Sequence, residues 1–250
     1  MNKFNIIVPS FNCVEYLPQC LASIEGQSYP PNAVCVIDDA STLPQQREII
    51  LDFCTRNKWQ YRFHERNYGA IYGLVHGIKE FNCEDDDIIV VVDGDDWLAH
   101  SEVLAFLNEV YTLNDLFLTW GQCEKYPVEG NPMRCANNIP YRVMDKKLFR
   151  EIRFVFSHLH SFKYLLWKNI KDADLRDTTG EYFKILYDLA IYYPMLEMAG
   201  RKIKFIKETL YIYNAANPLN DAKMTPKEEW EASNKFLRSK PPYQTLDRCK

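Results

Sequence analysis

The chain has 250 residues, 47% hydrophobic and 26% charged, a globular composition with enough apolar content for one large α/β domain or two small ones. A formal net charge of −4 supplies no basic field for wrapping nucleic acid. No apolar run approaches the ~20 residues that span a bilayer, and no long apolar leader follows Met1, so a cytoplasmic protein without transmembrane segment or secretory signal is expected. None of the eight cysteines forms a CxxC pair, which argues against zinc. Several sit in apolar, periodic segments as small buried hydrophobes, so free thiols are expected rather than a disulfide framework.

In chain order, Phe4–Ser10 reads as a strand, and YLPQCLASIEGQ as a helix with Leu17, Leu21 and Ile24 at helical spacing and Pro18 in its first turn. Ala33–Ser41 is a second strand, PQQREIILDFCTRN a helix, Tyr61–Asn67 a short third strand and AIYGLVHGIKEF a helix. The run DIIVVVDGDD is the fourth strand, and SEVLAFLNEVYTL a helix with Ser101 as its N-cap. Beyond residues 115–120 the pattern loosens. LFLTWGQCEKYP suggests a strand entering a loop, GNPMRCANNIPYRVMD reads as loop, and FVFSHLHSFKYLLWKNI mixes strand with helix. TTGEYFKILYDLAIYYPMLEMAG reads as a helical region stopped by Gly200, followed by a strand and then a short strand LYIYN. The polar stretch TPKEEWEASNKFLRSK is expected as a solvated surface helix, with Thr225 as N-cap and Pro226 as its first residue.

Strands alternating with helices predict an α/β fold with a mainly parallel, doubly wound sheet. In such sheets ligands bind beyond the carboxyl ends of the strands. Three strands end there on polar groups: Ser10 to Asn12, Asp38 with Asp39, and Asp93 to Asp96. The last is an apolar strand, IIVVV, that runs into three acids. Like charges this close repel unless a cation offsets them, and Asp-x-Asp oxygens suit Mg²⁺ or Mn²⁺. A solvated strand-end turn is the simpler alternative.

Four elements in order resemble family 2 glycosyltransferases, nucleotide-sugar enzymes of the GT-A fold: IIVPSFNCVEYLPQCLASIEGQSYP, VIDDAS, ERNYGAIYGLVHGI and VVVDGDDWL, covering Asn5 to about Leu98. The resemblance implies a single Rossmann-like GT-A domain over 1–221, with a nucleotide-sugar and metal half over about 1–115, an acceptor half over about 116–221 and a polar tail over 222–250. It implies a metal-dependent, inverting transfer of a sugar from a nucleotide-sugar, UDP-linked on family frequency, to a glycan, lipid-linked or protein hydroxyl. Pro9, Ser10, Asn12, Asp38, Asp39, Asn67, Gly69, Asp93 and Gly94 would bind the donor. Asp93 and Asp95 would hold Mn²⁺ or Mg²⁺, with Asp96 a ligand or an orienting neighbour. Asn12 has the alternative of closing an Asx turn, Asp39 of capping its loop and Gly69 of serving a plain turn.

The family's general base is commonly the Asp of a Glu-Asp pair that opens a helix. Asp188 matches it, preceded by Tyr187 instead of Glu, with Glu181 and Asp177 as runners-up and a helix-start cap as the alternative role. The resemblance places His158 and His160, two apart on a strand-like segment, toward acceptor or diphosphate, along with Asp96 and Trp97. The basic residue frequent after the family's Asn-x-Gly loop is missing, since Ala70 and Ile71 stand there. The late aromatics, among them Tyr192, Tyr193, Tyr211 and Tyr213, are read as core packing. A sugar nucleotidyltransferase would open on a Gly-rich basic loop, which VPSFNCVEYLP lacks. A haloacid-dehalogenase-type phosphatase would carry a small residue at Trp97. A non-catalytic nucleotide-sugar-binding relative stays open, because the base motif is incomplete.

Overall fold

The computed structural model describes residues 1–127, 136–219 and 225–246. The order is β1 (Phe4–Ser10), α1 (Leu17–Glu25), β2 (Ala33–Asp38), α2 (Pro44–Asn57), β3 (Gln60–Phe63), α3 (Ala70–Lys79), β4 (Ile88–Val91), β5 (Trp97–Leu98) and α4 (Val103–Leu113), then β6 (Leu118–Tyr126), α5 (Tyr141–Asp145), β7 (His160–Lys163), α6 (Tyr164–Trp167), α7 (Tyr187–Ala199), β8 (Ile203–Asn214) and α8 (Lys227–Ser239). Eight strands form one sheet in the order β3-β2-β1-β4-β7-β6-β8-β5.

The first four strands are parallel, as expected from their continuous apolar runs. Strand periodicity splits them between two layers. Ile7, Ile37, Ile89 and Val91 pack with Ile71, Leu74 and Ile78 of α3 and with α7. Ile6, Val8, Val36 and Val90 pack with Leu17 and Leu21 of α1, Ile50 of α2 and Leu104 and Leu107 of α4. Each such side chain contributes about 1.5–3 kcal/mol by leaving water.

The second half departs from a mainly parallel sheet. Strand β7 runs antiparallel to β4 and β6, and β5 runs antiparallel to β8; only the β6–β8 pair is parallel there. Among the described residues no long crossover helix joins β6 to β7, so the chain re-enters the sheet from the opposite end. The fourth strand stops at Val91, and Trp97 begins the separate β5, paired with Ile212. Residues 178–186, expected as helical, are not, and LYIYN is the end of one long strand. Helix α4 starts after Glu102, not Ser101, and α8 starts after Pro226, with no side-chain cap at either.

The C-terminal helix is anchored rather than merely solvated. Arg150 donates to both carboxylate oxygens of the fully buried Glu197 at 2.6 and 3.0 Å, and to the Leu237 carbonyl at 2.6 Å. Arg238 returns a bond to the Ile152 carbonyl at 2.8 Å. Six cysteines, Cys13, Cys20, Cys35, Cys54, Cys83 and Cys123, are free thiols; Cys135 and Cys249 lie outside the described residues. No described helix is long and apolar enough to cross a membrane.

Candidate active site

The carboxyl ends of β1, β2 and β4 open into a cleft of about 690 Å³, closed on the far side by the start of α7, the end of β8 and the start of α8. Its walls include Pro9, Ser10, Asp39, Asn67, Gly69, Asp93, Gly94, Asp95, Asp96, His158 and Asp188. Asn12, Asp38, Trp97 and His160, also expected there, stand outside the lining.

The absences have physical reasons. Asn12 adopts φ 48° and its side-chain carbonyl accepts from the Thr42 N–H at 2.8 Å, tying the loop after β1 to the loop after β2. Asp38 is fully buried and accepts from Gln46 Nε2 at 3.1 Å and Arg47 Nε at 3.2 Å, so it fastens β2 to α2. Trp97 packs edge-on against Tyr126. His160, the first residue of β7, is buried with its ring stacked on Tyr192 of α7 at 3.9 Å and Nε2 3.1 Å from the Phe156 carbonyl.

Asp39 does two things at once. It lines the cleft, and it organises the loop beside it: Oδ2 accepts from the Gly69 N–H at 2.7 Å, both oxygens accept from the Tyr68 N–H at 3.0 Å, and His64 Nδ1 lies 2.7 Å from Oδ1. Gly69 has φ 87°, a conformation that Cβ-bearing residues rarely adopt. Gly94 is required for a different reason. A Cβ there would lie 2.6 Å from Ser10 Cβ and 3.2 Å from the Pro9 carbonyl, so only glycine lets the acidic turn close onto the end of β1.

Each acid of that turn is held from the second half of the chain. Tyr187, the first residue of α7, donates its hydroxyl to both Asp93 oxygens at 2.8 and 3.0 Å. Asn217 Nδ2 donates to Asp95 Oδ2 at 2.7 Å. The Asn214 N–H donates to Asp96 Oδ1 at 2.7 Å, and Asp96 is 2% exposed. Burial raises the Asp95 carboxyl above its usual range, against the Asn217 hydrogen bond. Burial and the neighbouring charges of Asp95 and Asp93 push Asp96 well above it. Like charges crowded out of water fit a cation.

Among the described residues, no three His, Cys, Asp or Glu side chains form a ready-made metal cage. Mg²⁺-type ions need none, because they take one or two carboxylates and complete their shell with phosphates and water. Asp93 and Asp95 on the cleft wall suit that pattern.

Asp188 stands on the opposite wall, second in α7, with Oδ1 accepting from the Leu189 N–H at 2.9 Å. The runners-up do not reach the cleft: Asp177 closes a turn through Thr179, and Glu181 lies on the same turn. His158 stacks on Tyr211 at 4.7 Å, and burial lowers its pKa to about 4, so it is neutral near pH 7. Tyr192, Tyr193 and Tyr211 are buried, as core packing requires, whereas Tyr213 is part-buried and lines the cleft. Lys184, Tyr187, Asn217, Glu229 and Trp230 also line the cleft and were not foreseen as site residues. Only Tyr187, in the place of a Glu, carried any sequence signal.

The model for glycosyl transferase family 2 matches residues 5–169. The chain belongs to that family. A glycosyltransferase of Haemophilus influenzae is 29% identical over 178 residues, 70% of this chain and 69% of that protein. One of Rickettsia bellii is 25% identical over 139 residues, where this chain spans 19% of its length. Among solved structures, S. aureus TarS 1–349 with UDP-GlcNAc superposes at TM-score 0.67 and 18% identity, covering 94% of this chain and 65% of that one. A Pyrobaculum calidifontis mannosyltransferase with GDP-Man and Mn²⁺ gives TM-score 0.58 and 15% identity over 96% of this chain and 66% of that one. The fold of this family 2 member is therefore GT-A, with a curled central sheet.

Proposed function

We propose that this family 2 chain is a metal-dependent, inverting glycosyltransferase that moves a sugar from a nucleotide-sugar, UDP-linked in our reading, to an acceptor hydroxyl. The observation that carries the reading is convergence: Asp39, Asp93, Asp95 and Asp188 line one cleft although they come from opposite halves of the chain. The neighbours bound to UDP-GlcNAc and to GDP-Man with Mn²⁺ support a nucleotide-sugar donor.

In this reading Asp39 and the ends of β1 and β2 hold the base, Asn67 and Gly69 flank the ribose or diphosphate, and Asp93 and Asp95 hold Mn²⁺ or Mg²⁺. The cation, when bound, supplies positive charge that stabilises the departing diphosphate. Asp188 accepts the acceptor hydroxyl proton as the oxygen attacks the anomeric carbon. The new C–O bond forms as the bond to the diphosphate breaks, and the electron pair leaves with the nucleoside diphosphate. Asp96, held by Asn214, orients its two neighbours.

The test is release of nucleoside diphosphate from a panel of UDP- and GDP-sugars, with and without Mn²⁺. Wild type should turn over at least one donor, and Asp95→Ala should abolish the Mn²⁺-dependent part. Wild-type rates in Asp95→Ala would remove the metal assignment; no release from any donor would remove the enzymatic one.

A further inference from the structure

The described walls of the cleft carry six acids, Asp39, Asp93, Asp95, Asp96, Asp188 and Glu229, against a single Lys or Arg, which is Lys184. His158 does not add to the positive side, because burial keeps it neutral near pH 7. A wall this acidic repels an anionic ligand unless positive charge is placed where that ligand's own charge falls.

Lys184 stands at such a place. Its stem packs on the loop that Asp39 organises: a Cβ at Gly69 would lie 3.3 Å from Lys184 Cγ and 3.5 Å from its Cα. In the chain it precedes Asp188 by four residues, on the irregular segment that leads into α7. It therefore bridges the base-binding side of the cleft and the side that carries the general base. Its side chain is exposed, and no ion pair or hydrogen bond engages it among the described residues. A long, flexible ammonium with no internal partner can reach a ligand without breaking a bond inside the protein, at the cost of its rotamer entropy.

We infer that Lys184 is the cation that binds the donor's diphosphate, from a segment distant in sequence from the nucleotide-binding strands. The inference rests on the proposed function, since the diphosphate belongs to the donor. A charge-assisted contact of this kind separates ligands by charge: it acts on the diphosphate and leaves the nucleoside untouched.

The experiment is calorimetric titration of wild type, Lys184→Met and Lys184→Arg with UDP, GDP, uridine and guanosine, all in Mn²⁺. Thermal unfolding of the variants is followed in parallel to show that they fold. Lys184→Met keeps an apolar stem against Gly69 and should lose about ten- to a hundredfold in affinity for the diphosphate that wild type prefers. Its affinity for the matching nucleoside should not change, and Lys184→Arg should recover most of the loss. Undiminished diphosphate affinity in Lys184→Met overturns the inference and leaves the functional reading standing. An equal loss for nucleoside and diphosphate also overturns it, because that assigns Lys184 to shaping the loop. If wild type binds neither diphosphate, the functional reading and the inference fall together.

Discussion

The two walls of the cleft are built by different physics. The first-half wall is built on parallel strand ends, whose backbone ladders set Pro9 opposite Ile37 and Ser10 opposite Asp38. The opposite wall comes from irregular chain and helix starts, and its residues are held by side-chain bonds, Tyr187 to Asp93 and Asn217 to Asp95. One wall is a receptor formed by the sheet itself. The other keeps three crowded carboxylates in place and, in the proposed function, supplies the general base. Substitutions on the second wall should therefore damage turnover more than donor binding.

The strongest test of that division is Asp188→Asn. On the proposed reading of Asp188 as the base, transfer should fall by about 10²- to 10⁴-fold. Donor affinity, measured with the nucleotide-sugar by calorimetry, should stay within about threefold, on the reading that uniform binding does not depend on the base. A parallel collapse of donor binding would mean that Asp188 shapes the cleft, and the two walls would not be separable.

Arg150→Met asks whether the second wall stands on its own anchor. It leaves Glu197, which is fully buried, without its cation, and it removes the bond to the Leu237 carbonyl in α8. Breaking a buried pair from one side costs about 3–5 kcal/mol. Urea unfolding should show a loss of that order. A change below about 1 kcal/mol would show that α8 is held chiefly by its apolar contacts.

Much of the first wall was legible in the sequence, because its signals are local. Continuous β-branched runs mark buried parallel strands, and acids at their ends mark the ligand edge. Strand β1 and helix α2 fall on their expected residues, Phe4–Ser10 and Pro44–Asn57. Asn12 and Asp38 stand at that edge as expected, and both side chains bond to neighbouring loops and helices rather than line the cleft. Strand periodicity does not say whether the last polar residue faces ligand or chain. The second wall was largely illegible because its contacts are long-range. Asn217 meets Asp95 across 122 positions, and Tyr187 meets Asp93 across 94. The expected surface helix is present; what the sequence did not show is its anchorage, since it carries Leu237 into the core and Trp230 to the cleft.

A smaller effect is expected for Tyr187→Phe, which keeps the ring and removes only the hydroxyl that holds Asp93. Loss of a hydrogen bond to a charged group corresponds to about 1.5–3 kcal/mol, or about ten- to a hundredfold. The loss should fall on kcat and on the Mn²⁺ concentration that half-saturates turnover, with KM for donor little changed. If instead the variant unfolds at lower urea with kcat intact, Tyr187 is a packing residue and the bridge between the walls has no catalytic weight.

The smallest effect, absent near neutral pH, concerns His158 in the wall between the two halves. Its folded pKa is lowered from 6.5 to about 4 by burial. Between those values the unfolded chain binds a proton that the folded chain refuses, so stability declines as pH falls from 6.5 toward 4. His160 acts in the same direction, since burial and the neighbouring His158 lower its pKa too. The raised Asp95 and Asp96 act in the opposite direction, because the folded carboxyls hold protons that the unfolded chain has released. The total slope mixes the two, so the informative quantity is a difference. His158→Phe preserves a ring against Tyr211 and removes one titrating group. Its stability relative to wild type should rise as pH drops below 6.5 and level off near 4. A difference that does not change with pH would show that folded His158 takes up its proton as readily as the unfolded chain, and the lowering by burial would have to be abandoned.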